Sequence, residues 1–390
     1  MADTAAPERI HFAGLHALRG LAALSVVVSH VEGFRAKSGM PHHNDMEWMR
    51  ALGPSAVNFF FCLSGFLITY LLFEERRRAG DIDVKRFYVR RALRIWPLYF
   101  TVVLAGLLVF PAFIDAPGFV DATKVNGALL WGSLLFFAPN LTFAAFGHVR
   151  FLGPTWSIGV EEQFYLLWPF LVRVCRRTKT FLGLMMILFI GLFACRTLVL
   201  LHRLPQPEMV SDHVWGVMTT LVRLSRFEFM LCGAAAAVLV FHRRSLVDKL
   251  FSPVVQAAGI VLWWGVLASG FAATPVGQLG QMLSVVVILV GTSCHPRPLL
   301  RLNGKAWDTL GQLSFGIYLL HAPVLLGVLD VGRRWGADPH AWTTTLATHV
   351  AAVVLTVLLA AASYRLLESP FLRLKKRFVV VHSGGESSTA

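Results

Sequence analysis

Apolar runs of about 18 to 22 residues recur along the whole of this chain, the length an α-helix needs to cross a bilayer core. Eleven such segments can be drawn, near 12–33, 53–73, 96–114, 127–146, 157–172, 181–201, 221–241, 253–271, 277–293, 310–329 and 342–364. Within lipid every backbone polar group must be satisfied internally, and runs this long do so as helices. The fold class expected is therefore all-α: a polytopic membrane helix bundle. Composition agrees. The chain is 56% hydrophobic and 15% charged, whereas a soluble domain is about a quarter charged. Cys62, Cys175, Cys195, Cys232 and Cys294 lie in or beside apolar runs without CxxC spacing, which argues against a disulfide framework or a zinc site. The lead before the first run is short and polar, and no small-residue cleavage site follows that run, so it reads as a retained helix.

The formal net charge of +14 is distributed as a membrane protein requires. Basic residues cluster between apolar runs, and no basic, aromatic-interleaved soluble stretch exists to hold nucleic acid. The stretch "EERRRAGDIDVKRFYVRRALRI" (74–95) carries eight Lys/Arg and belongs in the cytoplasm by the positive-inside rule. If all eleven segments crossed, the basic "RVCRRTK" at 173–179 would fall outside. The segment 127–146 is interrupted by Pro139 and Asn140, so it is read as re-entrant or peripheral. About ten spans remain, with both termini cytoplasmic. Inside segments then hold 24 Lys/Arg and outside segments 8, while Arg19, Arg196, Arg223 and Arg226 fall within spans. No internal repeat is visible. The chain reads as one membrane-embedded domain (1–390) with a core at about 12–365 and a short basic cytoplasmic tail at 366–390.

Ionisable groups inside apolar runs carry the functional signal. In "HALRGLAALSVVVSH" (16–30), Arg19 and His30 are eleven positions apart. They share one helix face to within roughly 20° and are separated by about 16 Å. Arg19 either snorkels to an interface while His30 bonds a neighbouring helix, or the two line a charged lane. In "FFFCLSGFLIT" (59–69), Ser64-Gly65 suits close helix packing or close approach of a ligand. "RRALRIWPLYF" (90–100) sets Arg90, Arg91 and Arg94 before Pro97. Ordinary membrane anchoring explains their number, whereas a fork of Arg91 and Arg94 one turn apart also suits a polyphosphate. "TWSIGVEEQFYLLWP" (155–169) drives Glu161 and Glu162 into a span, where carboxylates are costly and need a partner. The ten-span topology puts Glu161 at the depth of His30. The expectation is a general-base histidine, His30, oriented by Glu161, with Glu162 as the alternative carboxylate; the competing reading is two unrelated interfacial charges. "RLSRFEFMLCG" adds Arg226 and Glu228, and "LSFGIYLLHAP" adds Tyr318 and His321, as acceptor-side or supporting groups alongside Ser64. His349 is isolated and suits an interhelical bond. There is no GxSxG elbow, no GxxxxGK[ST], no H-x4-D, no DHHC motif and no metal-ligand spacing. No metal and no permanently bound cofactor is expected.

Five of these stretches, in order from residue 15 to about 323, resemble the acyltransferase-3 family of bacterial membrane proteins: "LRGLAALSVVVSH" with its Arg-x10-His, "FFFCLSGFLIT", "RRALRIWPLY" with its RxxR, "TWSIGVEEQFYLLWP" and "FGIYLLHAP". The resemblance implies about ten core spans in the bacterial cytoplasmic (inner) membrane and an acyl group taken from cytoplasmic acyl-CoA, commonly acetyl-CoA. The acceptor it implies is a hydroxyl of a carbohydrate such as an O-antigen or exopolysaccharide, or alternatively of a macrolide. Arg19, Arg91 and Arg94 would then serve the donor, with Arg19 and His30 lining the route from it to a deeply placed base. Some members carry an esterase-like domain after the last span, which this sequence does not show. A rival of another class is a transporter of a sugar-linked lipid, which also holds paired charges between helices. Transporters often show matching halves or broken helices, and no such symmetry is visible.

Overall fold

Each apolar run becomes helix in the computed structural model, which describes residues 12–381. In chain order the helices are α1 (Leu15–Lys37), α2 (Glu47–Ala79), α3 (Val84–Leu108), α4 (Gly127–Leu135), α5 (Pro139–Phe146), α6 (Thr155–Val174), α7 (Thr178–Leu200) and α8 (Asp212–Leu224). They continue as α9 (Phe227–His242), α10 (Arg244–Leu250), α11 (Pro253–Ala268), α12 (Pro275–Ser293), α13 (Lys305–Arg334), α14 (Trp342–Ser363) and α15 (Ser369–Lys375). Among the described residues the only β pairing is an isolated bridge between Val120 and Val149. Local chemistry marks the helix ends. The Asp83 side chain accepts from Arg86 N at the start of α3, while Ser252 and Thr274 precede Pro253 and Pro275 at the first positions of α11 and α12. Gly80, at φ 79°, ends α2 in the left-handed region.

Eight helical stretches are long and apolar enough to cross a membrane, or nine if α10 and α11, bent by 69°, form one broken span. The remaining expected span, α6, is a 20-residue helix whose hydropathy is lowered by Glu161, Glu162 and Gln163 in its middle, so a count of ten is approximate. The 127–146 segment is split into α4 and α5, which leave the helical path at Phe136–Ala138, with Phe137 at φ 54°. Neither piece is long enough to cross, and α5 packs on α6 and α8. The 74–95 stretch is hardly a loop: α2 runs to Ala79 and α3 begins at Val84, so most of its basic residues project from two helix ends.

The centre of the bundle is α1 between α2 and α13, with α9 against α2 and α14 against α13. The α2–α9 crossing needs glycine. A Cβ on Gly65 would lie 2.0 Å from the Met230 carbonyl oxygen, and one on Gly233 would lie 1.9 Å from that of Cys62. Small residues thus let the two backbones touch. After α14 the helix runs on through a π-helical turn, Tyr364–Glu368, into α15, which packs against α3. The expected tail is therefore packed structure from 366 to 381; residues 382–390, and the N-terminal residues 1–11, lie outside the described ones.

Candidate active site

The first turns of α3 present three arginines with different fates. Arg90 is spent on structure: it pairs with the buried Glu75 at 2.7 Å and donates to the Phe378 carbonyl at 3.0 Å. Arg91 lies over the rings of Phe87 and Tyr165, each 5.5 Å from its guanidinium carbon, and its buried Nε has no hydrogen-bond partner. Arg94 makes no hydrogen bond or ion pair among the described residues. Arg19 reaches in from α1, its Nε 3.4 Å from Ser314 Oγ on α13. These three guanidinium groups border two adjoining cavities. The outer one, about 160 Å³, opens between the basic ends of α2 and α3 and is also lined by His16, Gln312 and Lys375. The inner one, about 70 Å³, continues past Arg19 to Ser64, Ser157, Glu161, Tyr165 and Tyr318. Arg19, Arg91 and Arg94, grouped from the sequence as donor-side residues, thus line the same two cavities.

Glu161 belongs to the inner cavity. Ser64 donates to one of its oxygens at 2.7 Å and Tyr165 to the other at 3.1 Å. A second tie between α2 and α6 lies further along, where Trp168 Nε1 donates to Thr69 Oγ1 at 2.8 Å. Arg19 and Arg91 are within electrostatic reach of Glu161. Glu162, turned about 100° round α6, leaves Oε1 buried without a partner and lies within reach of Arg91 and Tyr99.

His30 has a different partner from the one expected. Its Nδ1 stands 2.7 Å from Nε2 of His321, with the two rings tilted by only 24°. His321 Nδ1 is in turn 2.5 Å from the Tyr318 carbonyl oxygen. A carbonyl only accepts, so His321 carries its proton on Nδ1 and presents a lone pair at Nε2. His30 then donates from Nδ1, which leaves its Nε2 as the free base. The pairing of His30 with Glu161 is thereby corrected. Depth along separate helices placed the two residues alike, but Glu161 faces the arginine end of the site. Only the α1–α13 packing reveals that a histidine 291 residues away meets His30. Between the histidines and the inner cavity lies Tyr318, whose hydroxyl is 2.6 Å from Ser157 Oγ and whose ring centroid is 5.9 Å from that of His321. His148 and Lys37 are also within electrostatic reach of His30.

Arg226 and Glu228 sit apart from the histidines. Glu228 is fully buried and bonded to Arg196 of α7, an ion pair closed within the bundle. Arg226, at the break between α8 and α9, donates to Asn58 Oδ1 at 2.6 Å and is within electrostatic reach of Tyr318. His349 donates through Nδ1 to the Thr345 carbonyl at 2.9 Å and faces the buried Glu32 at 3.2 Å. Among the described residues no group of three metal-ligating side chains comes together.

An acyltransferase domain model matches residues 12–365. The chain belongs to this acyltransferase family. It is similar to the peptidoglycan O-acetyltransferase OatA of Listeria monocytogenes, 27% identical over 390 residues, covering 95% of this chain and 57% of that protein. It is also similar to the O-acetyltransferase OatA of Staphylococcus aureus, 24% identical over 377 residues, covering 92% of this chain and 56% of that protein. The chain thus spans little more than half the length of these relatives. No solved structure matches it. Family membership and the apolar helices together make this acyltransferase a multi-pass membrane protein.

Proposed function

We propose that this acyltransferase moves an acetyl or short acyl group from acyl-CoA, bound at the basic face in the cytoplasm, to a carbohydrate hydroxyl. The membrane would be the bacterial cytoplasmic membrane, with both termini inside. The observation that carries this reading is the continuity of three elements. Arginines with unused donors line a cavity, the same arginines line a pocket that reaches Glu161, and Tyr318 of that pocket neighbours the His30–His321 pair. Planar guanidinium groups at Arg19, Arg91 and Arg94 suit the pyrophosphate of coenzyme A. The inner pocket then receives the thioester.

His30 Nε2 takes the proton of the acceptor hydroxyl as its oxygen attacks the thioester carbonyl. A C–O bond forms, the C–S bond breaks, and the proton passes to the departing thiolate. Positive charge on His30 is spread through the Nδ1–H bond to His321. The relatives' printed names point to peptidoglycan as the acceptor glycan; a macrolide hydroxyl would meet the same base. Purified protein given acetyl-CoA and a peptidoglycan-derived acceptor should release free thiol stoichiometrically with acetylated product. Transport of acceptor across vesicles with no thiol release would assign the chain to the transporter class instead.

A further inference from the structure

The matched domain ends at residue 365, yet the wall of the outer cavity does not. Tyr364, Leu372, Lys375, Val379 and Val381 line it together with His16 and Arg90. The segment is held there: α15 packs along α3, and Arg90 donates to the Phe378 carbonyl while pairing with Glu75. The last long helix continues through the π-helical turn at Tyr364–Glu368 into this position. Among the described residues five cationic side chains line the cavity (Arg19, Arg90, Arg91, Arg94 and Lys375), with one carboxylate, Glu75. The inner three surround the neck. Lys375 lines only the outer cavity, together with the partly exposed apolar side chains of Leu372, Val379 and Val381.

A ligand with two separated phosphate groups and a planar ring between neck and mouth fits this arrangement. We infer that residues 366–381 are a working wall of the donor site, in which Lys375 binds the 3′-phosphate of coenzyme A and the adjacent apolar side chains carry the adenine. This rests on the donor reading proposed above. With the pyrophosphate at the neck, a phosphoadenosine end projects outward, and a lysine acts there as a mobile point charge rather than a fork. The coenzyme's phosphates carry about four negative charges, which the clustered guanidinium groups of Arg19, Arg91 and Arg94 complement.

The test is Kd for coenzyme A and for 3′-dephospho-coenzyme A on the full chain purified in detergent. Lys375→Ala should weaken coenzyme A binding roughly ten-fold and leave the dephospho form unchanged, since a hydrogen bond to a charged group is lost only for the first. Lys375→Arg should restore most of the difference, and Leu372→Asp should weaken both ligands. Equal weakening of both ligands in Lys375→Ala, or an equal effect from Lys376→Ala on the exposed side of the turn, would overturn the assignment. Arg91→Ala/Arg94→Ala separates this from the donor reading. If that double variant binds coenzyme A normally, the donor reading itself fails. If it loses binding while the Lys375 and Leu372 variants do not, only the wall inference fails.

Discussion

At the scale of single residues, the chemistry rests on which nitrogen of His30 is free. The chain of bonds from the Tyr318 carbonyl through His321 leaves Nε2 unprotonated without any carboxylate. His30→Ala should therefore lower turnover about 10²- to 10⁴-fold with coenzyme A binding retained. His321→Ala removes the group that fixes the tautomer, so it should cause an intermediate loss and alter the pH dependence of turnover. Glu161→Gln should do the opposite: it changes the KM for acetyl-CoA, because Glu161 sits among Ser64, Tyr165 and the donor arginines, and leaves the pH profile in place. A Glu161→Gln enzyme with a flattened pH profile would return the carboxylate to the base. His148 offers a second proton-linked test. Burial, reinforced by Lys37, pushes its pKa down from 6.5 to about 4. Below pH 6.5 the unfolded chain gains a proton that the folded one refuses until about pH 4. Its contribution is thus complete above pH 6.5 and is lost as pH falls through that window. His148→Gln should flatten the acid limb of Tm against pH between those values.

At the scale of elements, the α2–α9 crossing is held by backbone contact at Gly65 and Gly233, so a methyl group has nowhere to go. Gly65→Ala should cost about 1–3 kcal/mol and lower Tm in detergent. Gly33→Ala, with nothing within 4 Å of the added carbon, should leave Tm unchanged or raise it slightly, because alanine is the better helix former. An unaltered Tm in Gly65→Ala would mean that the helices separate more easily than their packing implies. Helix positions were legible because hydropathy reports burial in lipid whatever the partner. Helix lengths were less so: α2 continues as helix through Glu74–Arg78, where charge ends the apolar window but not the hydrogen bonding. Even α6, too polar in its middle to pass as a span, was recognisable from what its carboxylates need. Partners were the illegible part. Ser64 meets Glu161 across 97 positions and Tyr318 meets Ser157 across 161, and no local pattern encodes which helix face turns toward which. The packing of the chain after Tyr364 on α3 was hidden for a similar reason, since a basic terminal stretch looks alike whether it is solvated or lies over a cavity.

At the scale of the whole molecule, orientation decides whether the donor reading can hold. The outer cavity opens between the ends of α2 and α3, beside the densest basic cluster of the chain. At the other end of α13, Arg333 and Arg334 are held by Asp330, with Arg333 also facing Asp115, so positive charge is locally balanced there. On the proposed orientation, which follows the positive-inside rule, the cavity mouth faces the cytoplasm and the His30 end the outer surface. The chain with Cys62, Cys175, Cys195, Cys232 and Cys294 replaced supplies the test. Lys85 and Ala337 are both exposed, on the basic face and beyond α13 respectively. In intact cells a membrane-impermeant maleimide should label Ala337→Cys and spare Lys85→Cys, which reacts only after permeabilisation. Labelling of Lys85→Cys from outside would place the arginine-lined mouth away from the cytosol. Neither the Arg91–Arg94 fork nor the packed segment after Tyr364 could then serve a coenzyme A donor, whatever their affinity for it in detergent.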